Sequence, residues 1–189
     1  MKQTTPFTIA LAGNPNVGKS TIFNSLTNMH QKTGNWAGKT VACASGTFRY
    51  RGISCLAVDL PGTYSLDPHS QEEAIARDYI ASGQADLLLV VCDATCLERG
   101  LRLLKQIRDI NDGRPQPVIL CVNLCDEAEK KGIELNFTVL ARRLGMPVIP
   151  CTARSRRGLI RLKEKIYEMY CSPEEECGIL PAKCGGDQR

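Results

Sequence analysis

No apolar run in this chain is longer than Leu87 to Cys92, far short of the roughly 18 residues that would suggest a membrane span. The start, Met1 to Pro6, leads straight into an apolar strand pattern, with no long apolar stretch before a small-residue cleavage site. These two absences point to a soluble, cytosolic protein without a transmembrane segment. Strong charge of one sign is missing too: 24 basic against 20 acidic residues leave a net +4, too mild to imply nucleic acid. The densest basic cluster is Arg154, Arg156, Arg157, Arg161, Lys163 and Lys165, with no aromatic residue among them until Tyr167. It reads as a solvated helix face rather than a phosphate-backbone surface, so no nucleic-acid partner is expected. The ten cysteines form no C-x-x-C pair, and the two histidines do not sit beside them. Cys92, Cys121 and Cys151 fall in or at the end of strand patterns, where cysteine acts as a small apolar residue. Cys171, Cys177 and Cys184 follow the last helix pattern in a polar, turn-rich stretch. That stretch, 172–189, reads as a disordered tail, with a soft-metal or redox site as the alternative; tetrahedral zinc would require a fourth ligand.

What the chain does have is Gly13-Asn14-Pro15-Asn16-Val17-Gly18-Lys19-Ser20, which fills every fixed position of the phosphate-binding loop G-x-x-x-x-G-K-[ST]. The motif means chemistry only between a strand and a helix. Phe7 to Ala12 is a short, mostly apolar run ending at the glycine, and Ile22, Phe23 and Leu26 then recur at helical spacing. In that setting the loop's amide N–H groups point inward and the helix start adds partial positive charge, making a concave anion site. Lys19 is placed to reach the β- and γ-phosphates. Ser20 can offer a hydroxyl oxygen to Mg²⁺, a hard cation.

Strand and helix patterns alternate after this. A polar, glycine-rich loop is expected over His30 to Lys39, then strands over Val41 to Tyr50 and Ser54 to Asp59 joined at Arg51-Gly52. Helices are expected over Gln71 to Ala81, Leu97 to Ile110 and Gly158 to Tyr170, and buried strands over Asp86 to Cys92, Pro117 to Val122 and Met146 to Pro150. With 189 residues this is one α/β domain burying roughly 70% of its unfolded surface. Short apolar strands between helices imply three layers, a mostly parallel six-stranded sheet with one antiparallel strand and helices on both faces. Ligands then bind at the carboxyl ends of the strands.

Each remaining polar signal lies at such an end. Asp59-Leu60-Pro61-Gly62 follows one strand: Asp59 can hold Mg²⁺ through a water, and the Gly62 amide can approach a γ-phosphate. Asn123-Leu124-Cys125-Asp126 closes another. A carboxylate accepts two parallel hydrogen bonds, matching the N1–H and exocyclic amino donors of guanine, a pair adenine lacks; Asp126 is therefore the base-specificity residue. Asn123 would brace the phosphate loop and the base. Both residue types are also ordinary helix caps, and the tetrapeptide alone does not decide. Cys151-Thr152-Ala153-Arg154 follows the last strand, where the Ala153 amide could donate to the guanine carbonyl.

In this order, over Gly13 to Arg154, the motifs resemble those of the translation-factor branch of GTPases. Gly34-Asn35-Trp36-Ala37-Gly38-Lys39-Thr40-Val41 further resembles the G-N-W-x-G-x-T-V segment of the ferrous iron transport protein B family, and Asp59 to Leu66 is similar to that family's D-L-P-G-x-Y-S-L. The resemblance covers about residues 7 to 170, that family's amino-terminal G domain, and puts the domain at 1–171. It implies a P-loop GTPase fold binding GTP or GDP with Mg²⁺ held by Ser20, Thr40 and Asp59. The nucleotide contacts it implies are Asn14, Pro15, Asn16, Val17, Gly18, Lys19, Ser20, Thr21, Thr40, Asp59, Gly62, Asn123, Leu124, Asp126, Thr152 and Ala153. Thr40 is the switch threonine, His30 to Lys39 the first switch and Gly62 to about Ser70 the second. Asn16, with carbonyls of Gly34 and Trp36, stands where related potassium-activated GTPases hold K⁺. That ion offsets charge developing between the phosphates, which makes Lys19, Thr40 and Asn16 the catalytic set.

Two departures bear on activity. Thr63 stands where Ras-like GTPases carry a glutamine, so hydrolysis should be slow. Leu124 replaces the usual lysine of N-K-x-D, removing cover from the base plane. The family normally continues into a helical regulatory domain and a membrane permease, and this sequence contains neither. The reading is a GTP-hydrolysing switch domain tied to regulation of ferrous iron uptake, K⁺-stimulated, cytoplasmic, meeting the inner face of the membrane through an iron permease region in cis or in trans. The alternatives are a GTP-dependent sensor without significant turnover and a ribosome- or RNA-modification-type GTPase.

Overall fold

The computed structural model describes residues 5–28, 31–35, 42–67, 70–110 and 116–171. Seven strands form one sheet: β1 (Phe7–Gly13), β2 (Gln31–Asn35), β3 (Ala42–Tyr50), β4 (Ile53–Asp59), β5 (Leu87–Asp93), β6 (Val118–Asn123) and β7 (Val148–Pro150), in the order β2-β3-β4-β1-β5-β6-β7. β1 pairs in parallel with β4 and β5, and β5, β6 and β7 continue in parallel. β3 is antiparallel to both its neighbours, so it alone runs against the rest. The six-stranded, mostly parallel sheet with one antiparallel strand is as the sequence implies, and β2 adds a seventh strand at its edge.

β2 corrects the expectation of a loop over His30 to Lys39. Gln31-Lys32-Thr33-Gly34-Asn35 has no apolar alternation to announce a strand, and the pairing is made by backbone alone, from Gln31 opposite Gly46 to Asn35 opposite Ala42. Trp36 and Thr40 lie outside the described residues, as do Cys177, Cys184 and the whole of 172–189.

The helices are α1 (Lys19–Thr27), α2 (Gln71–Ser82), α3 (Leu97–Ile110), α4 (Cys125–Lys130), α5 (Phe137–Leu144) and α6 (Leu159–Cys171). α4 and α5 fill a span the sequence reading leaves unassigned. α6 runs to Cys171, an exposed residue that is the last of the helix rather than the first after it. Ser70 caps α2 by accepting from the Glu73 amide at 3.2 Å, and Asn136 caps α5 by accepting from Val139 at 3.0 Å.

The central strands are apolar on both faces because both are covered. Ile9, Leu11, Leu87, Leu89, Val91, Ile119 and Cys121 point to α1 and α6, meeting Ile22, Phe23, Leu26, Leu162 and Ile166. The alternate residues Ala10, Ala12, Leu88, Val90, Cys92, Leu120 and Val122 meet Ile75, Ile80, Leu103, Leu104 and Ile107 of α2 and α3. Cys92, Cys121 and Cys151 are buried in these layers as small apolar residues. Burial pushes the Cys55 thiol up to about 11, and burial followed by the Asp93 carboxylate takes Cys92 to about 12. No described helix is long and apolar enough to cross a membrane.

Candidate nucleotide site

The loop between β1 and α1 leaves the strand at Gly13 and turns through two left-handed residues, Asn16 at φ 65° and Gly18 at φ 81°. Gly18 has a second reason to be glycine: a Cβ there would collide with the side-chain nitrogen of Asn123. The Ile22 amide then closes the first turn of α1 on the Gly18 carbonyl at 3.0 Å. Ser20 and Thr21 are exposed in that first turn, Lys19 is turned inward and nearly buried, and Asn16 is exposed at the loop's crest.

β4 ends beside this loop because it is β1's parallel neighbour, with Asp59 opposite Leu11. Lys19 Nζ lies 2.5 Å from Asp59 Oδ1 and also donates to the Leu60 carbonyl. Ser20 Oγ donates to Asp59 Oδ2 at 2.9 Å. Ser20 and Asp59 thus converge as hard oxygen donors, a set that fits Mg²⁺. Gly62 packs on Pro15, whose Cα would be 3.2 Å from a Cβ at that position.

A strap that the sequence does not announce connects the phosphate loop to α3. Asn14, buried in the phosphate loop, donates from Nδ2 to the Thr63 carbonyl at 3.0 Å, and the Thr63 amide donates to the Gly13 carbonyl at 3.1 Å. Thr63 is only 1% exposed and its hydroxyl is spent on the Ser65 carbonyl. Ser65 and Leu66 are in turn held by Gln106 of α3, which accepts from the Leu66 amide at 3.1 Å and donates to Ser65 Oγ at 3.1 Å. Nothing in a single sequence marks Gln106, since its partners are 40 and 41 positions away.

At the ends of β6 and β7 lies Asn123, expected from the sequence to brace the phosphate loop and the base. Its buried amide donates to the Val17 carbonyl at 3.0 Å and accepts from the Ala153 amide at 3.0 Å, tying the phosphate loop to the Cys151-Thr152-Ala153 turn. Leu124 takes a left-handed backbone, φ 61°, as the chain swings into α4. A leucine bears that conformation only with strain, of the kind that gathers at ligand-contacting turns. The Cys125 amide bonds the Cys151 carbonyl at 3.3 Å, keeping the two turns together. Two buried oxygens here have no hydrogen-bond partner among the described residues, Asp126 Oδ1 and Thr152 Oγ1. An unpartnered buried acceptor is rare and expensive, and a carboxylate oxygen waiting for a donor fits the N1–H and amino edge of guanine. Among the described residues no cluster of three or more His, Cys, Asp or Glu side chains is arranged to hold a metal ion.

With this geometry in view, the model of the family Ferrous iron transport protein B matches residues 7–166. The chain belongs to that family. It is 46% identical over 160 residues to the Fe(2+) transporter FeoB of Escherichia coli strain K12, an overlap of 82% of this chain and 20% of that protein. The Helicobacter pylori Fe(2+) transporter FeoB is 40% identical over 166 residues, 86% of this chain and 25% of that one. The chain therefore spans a fifth to a quarter of the length of these curated relatives. Among solved structures, the G domain of the T. maritima FeoB iron transporter superposes with a TM-score of 0.79 at 42% identity, covering 88% of this chain and 99% of that one. The cytosolic domain of the same transporter in GDP form II gives a TM-score of 0.84 at 42% identity, covering 90% and 65%. The fold is thus that of FeoB G domains, a P-loop GTPase fold.

Proposed function

We propose that this FeoB-family G domain binds guanine nucleotide and hydrolyses GTP slowly, as a switch associated with ferrous iron uptake. The observation that carries the reading is Asp126 Oδ1, buried and without a hydrogen-bond partner among the described residues, three positions after the Asn123 that ties the phosphate loop to the Ala153 turn. The cytosolic domain of the T. maritima FeoB iron transporter, solved in GDP and GMPPNP forms, supports that reading.

Lys19 neutralises the β- and γ-phosphates, the amides of the Asn14 to Ser20 loop cradle them, and Asp126 and the Ala153 amide select the base. Mg²⁺, when bound through Ser20, Thr40 and Asp59, supplies charge neutralisation between the phosphates. Asn16, at the loop crest, with the carbonyls of Gly34 and Trp36, is the K⁺ site we infer. Thr63 cannot orient a water while its hydroxyl is bonded to Ser65, which supports slow turnover without a partner. The partner we infer is an iron permease region, in cis or in trans, at the inner face of the membrane.

The test is steady-state phosphate release from GTP in K⁺ and in Na⁺. Turnover several-fold faster in K⁺, with the advantage removed by Asn16→Ala, is the expected result. Equal rates in the two salts would take Asn16 out of the mechanism. Phosphate release at the no-protein background in both salts, despite tight GTP binding, would favour the sensor reading.

A further inference from the structure

The densest basic cluster of the chain has a definite place in the fold. The turn between β7 and α6 is closed by the Thr152 amide, which donates to the Arg157 carbonyl at 3.0 Å, and by the Arg156 amide, which donates to the Ala153 carbonyl at 3.2 Å. Arg156 is held there in a left-handed backbone, φ 60°, a conformation that a residue other than glycine keeps at a cost. The closed turn leaves Arg154 and Arg156 at the surface, and Arg161 is exposed in the first turn of α6. Arg157 bonds Glu129 at 3.0 Å, which brings the end of α4 alongside. There Lys130 is within electrostatic reach of Arg154, and Lys131 is exposed next to it.

The internal partners of this surface are few. Lys163 lies over the Phe48 ring and Lys165 bonds Glu168, so those two serve the domain itself. Of the nearby acids, Glu129 is taken by Arg157, Glu127 by Lys130 at 2.8 Å, and Glu134 shares a cleft with Arg161. Arg154 and Arg156 have no ion pair among the described residues. Between the turn and Arg161 stands Ile160, 72% exposed, the most exposed large apolar side chain among the described residues.

An apolar side chain in water gains only from an apolar partner, and grouped arginines gain from anions. A bilayer carrying anionic lipid offers both within a few ångströms of depth. A nucleic-acid backbone would answer the arginines and leave Ile160 in water, and no aromatic side chain lies among these residues to stack on a base. We propose that the β7–α6 turn and the end of α4 form a contact surface for anionic lipid headgroups, with Ile160 entering the boundary beneath them. The contact is reversible, comparable to that of one myristoyl chain at about 10⁴ M⁻¹. It does not depend on the guanine-nucleotide reading.

The test is sedimentation of the full chain with vesicles of phosphatidylcholine alone and of equal parts phosphatidylcholine and phosphatidylglycerol. The chain sediments with the mixed vesicles only, and the binding falls away at about 1 M salt, where the Debye length is about 3 Å. Arg154→Gln and Arg156→Gln each weaken it about fivefold, and Ile160→Ser weakens it about tenfold. A chain carrying both Arg99→Gln and Lys105→Gln, exposed positions of α3, has the same net charge as the double turn variant and binds like wild type. Thermal melts establish that each variant is folded.

Equal binding to both vesicles overturns the proposal, as does a loss in the α3 variant equal to that in the turn variants. So does the absence of sedimentation on either vesicle; if the same chain then binds a single-stranded RNA oligonucleotide through Arg154 and Arg156, the surface is one for nucleic acid. GDP binding, measured in parallel, is expected whichever of these holds, and its failure would count against the nucleotide reading alone.

Discussion

Replacing Asp126 by asparagine reverses the hydrogen-bonding sense of one edge of the base site while leaving its shape. Asp126 Oδ1 is buried and has no hydrogen-bond partner among the described residues, so the wild-type site carries an unmet acceptor for the N1–H and amino edge of guanine. Hydrogen bonds to a charged partner contribute about 1.5–3 kcal/mol each, so two of them amount to about 3–6 kcal/mol. At about 1.4 kcal/mol per tenfold, GDP should bind Asp126→Asn about 100-fold to about 10,000-fold more weakly. Xanthosine diphosphate presents an oxygen in place of the amino group, and should gain affinity for the variant. Competition of both nucleotides against a fluorescent GDP analogue reads the two changes together. The ligand-free protein should melt close to wild type, because Oδ1 has no hydrogen-bond partner among the described residues to lose. GDP affinity within twofold of wild type, or no gain by xanthosine diphosphate, would refute the assignment.

Asn123→Ala should act differently, through stability. It strips partners from the Val17 carbonyl and the Ala153 amide, both buried, and two stranded groups at about 1–3 kcal/mol each lower the urea midpoint by an amount equivalent to about 2–6 kcal/mol. Native-state alkylation at pH 8 should modify Cys96 and Cys171 well before Cys55 and Cys92, whose thiols burial holds protonated up to about 11 and about 12; peptide mass mapping gives the order. Because these folded-state values lie above a cysteine's ordinary 9.0, the contribution of both thiols to stability is complete below pH 9 and is lost as pH rises toward 11 and 12. Urea midpoints flat from pH 7 to 9 and falling above it would show that sign.

The legible parts of this chain are those with a local physical signature. Leu87 to Cys92 announces a strand covered on both faces, and Gly13 to Ser20 announces an anion loop, because the chemistry lies within a few consecutive residues. α5 also has a signature, Phe137, Leu140, Ala141 and Leu144 on one stripe behind the Asn136 cap. β2 has none: Gln31 to Asn35 is a strand only because β3 lies beside it. α4 is six residues long and starts from a left-handed leucine without a side-chain cap, which no propensity anticipates. The same division holds in the site. Asp126 and Lys19 are singled out by type and spacing, whereas the Asn14–Thr63–Ser65–Gln106 strap links the phosphate loop, the turn after β4 and α3, segments that meet only in three dimensions.

The two edges of the sheet carry a consequence of their own. Among the described residues seven strands form an open array with two edges, and the unpaired backbone donors and acceptors of an edge are the usual beginning of edge-to-edge aggregation. One edge here is β2, five residues of Gln-Lys-Thr-Gly-Asn, and the other is β7, three residues ending in Pro150, which has no amide hydrogen to give. Both are too short to template a further strand, and one carries a lysine and the other a proline. The long, apolar strands that would make dangerous edges, β1, β5 and β6, are all interior. The architecture that sets the candidate nucleotide site along the carboxyl ends of β1, β4, β6 and β7 therefore also keeps the chain's stickiest segments away from its neighbours.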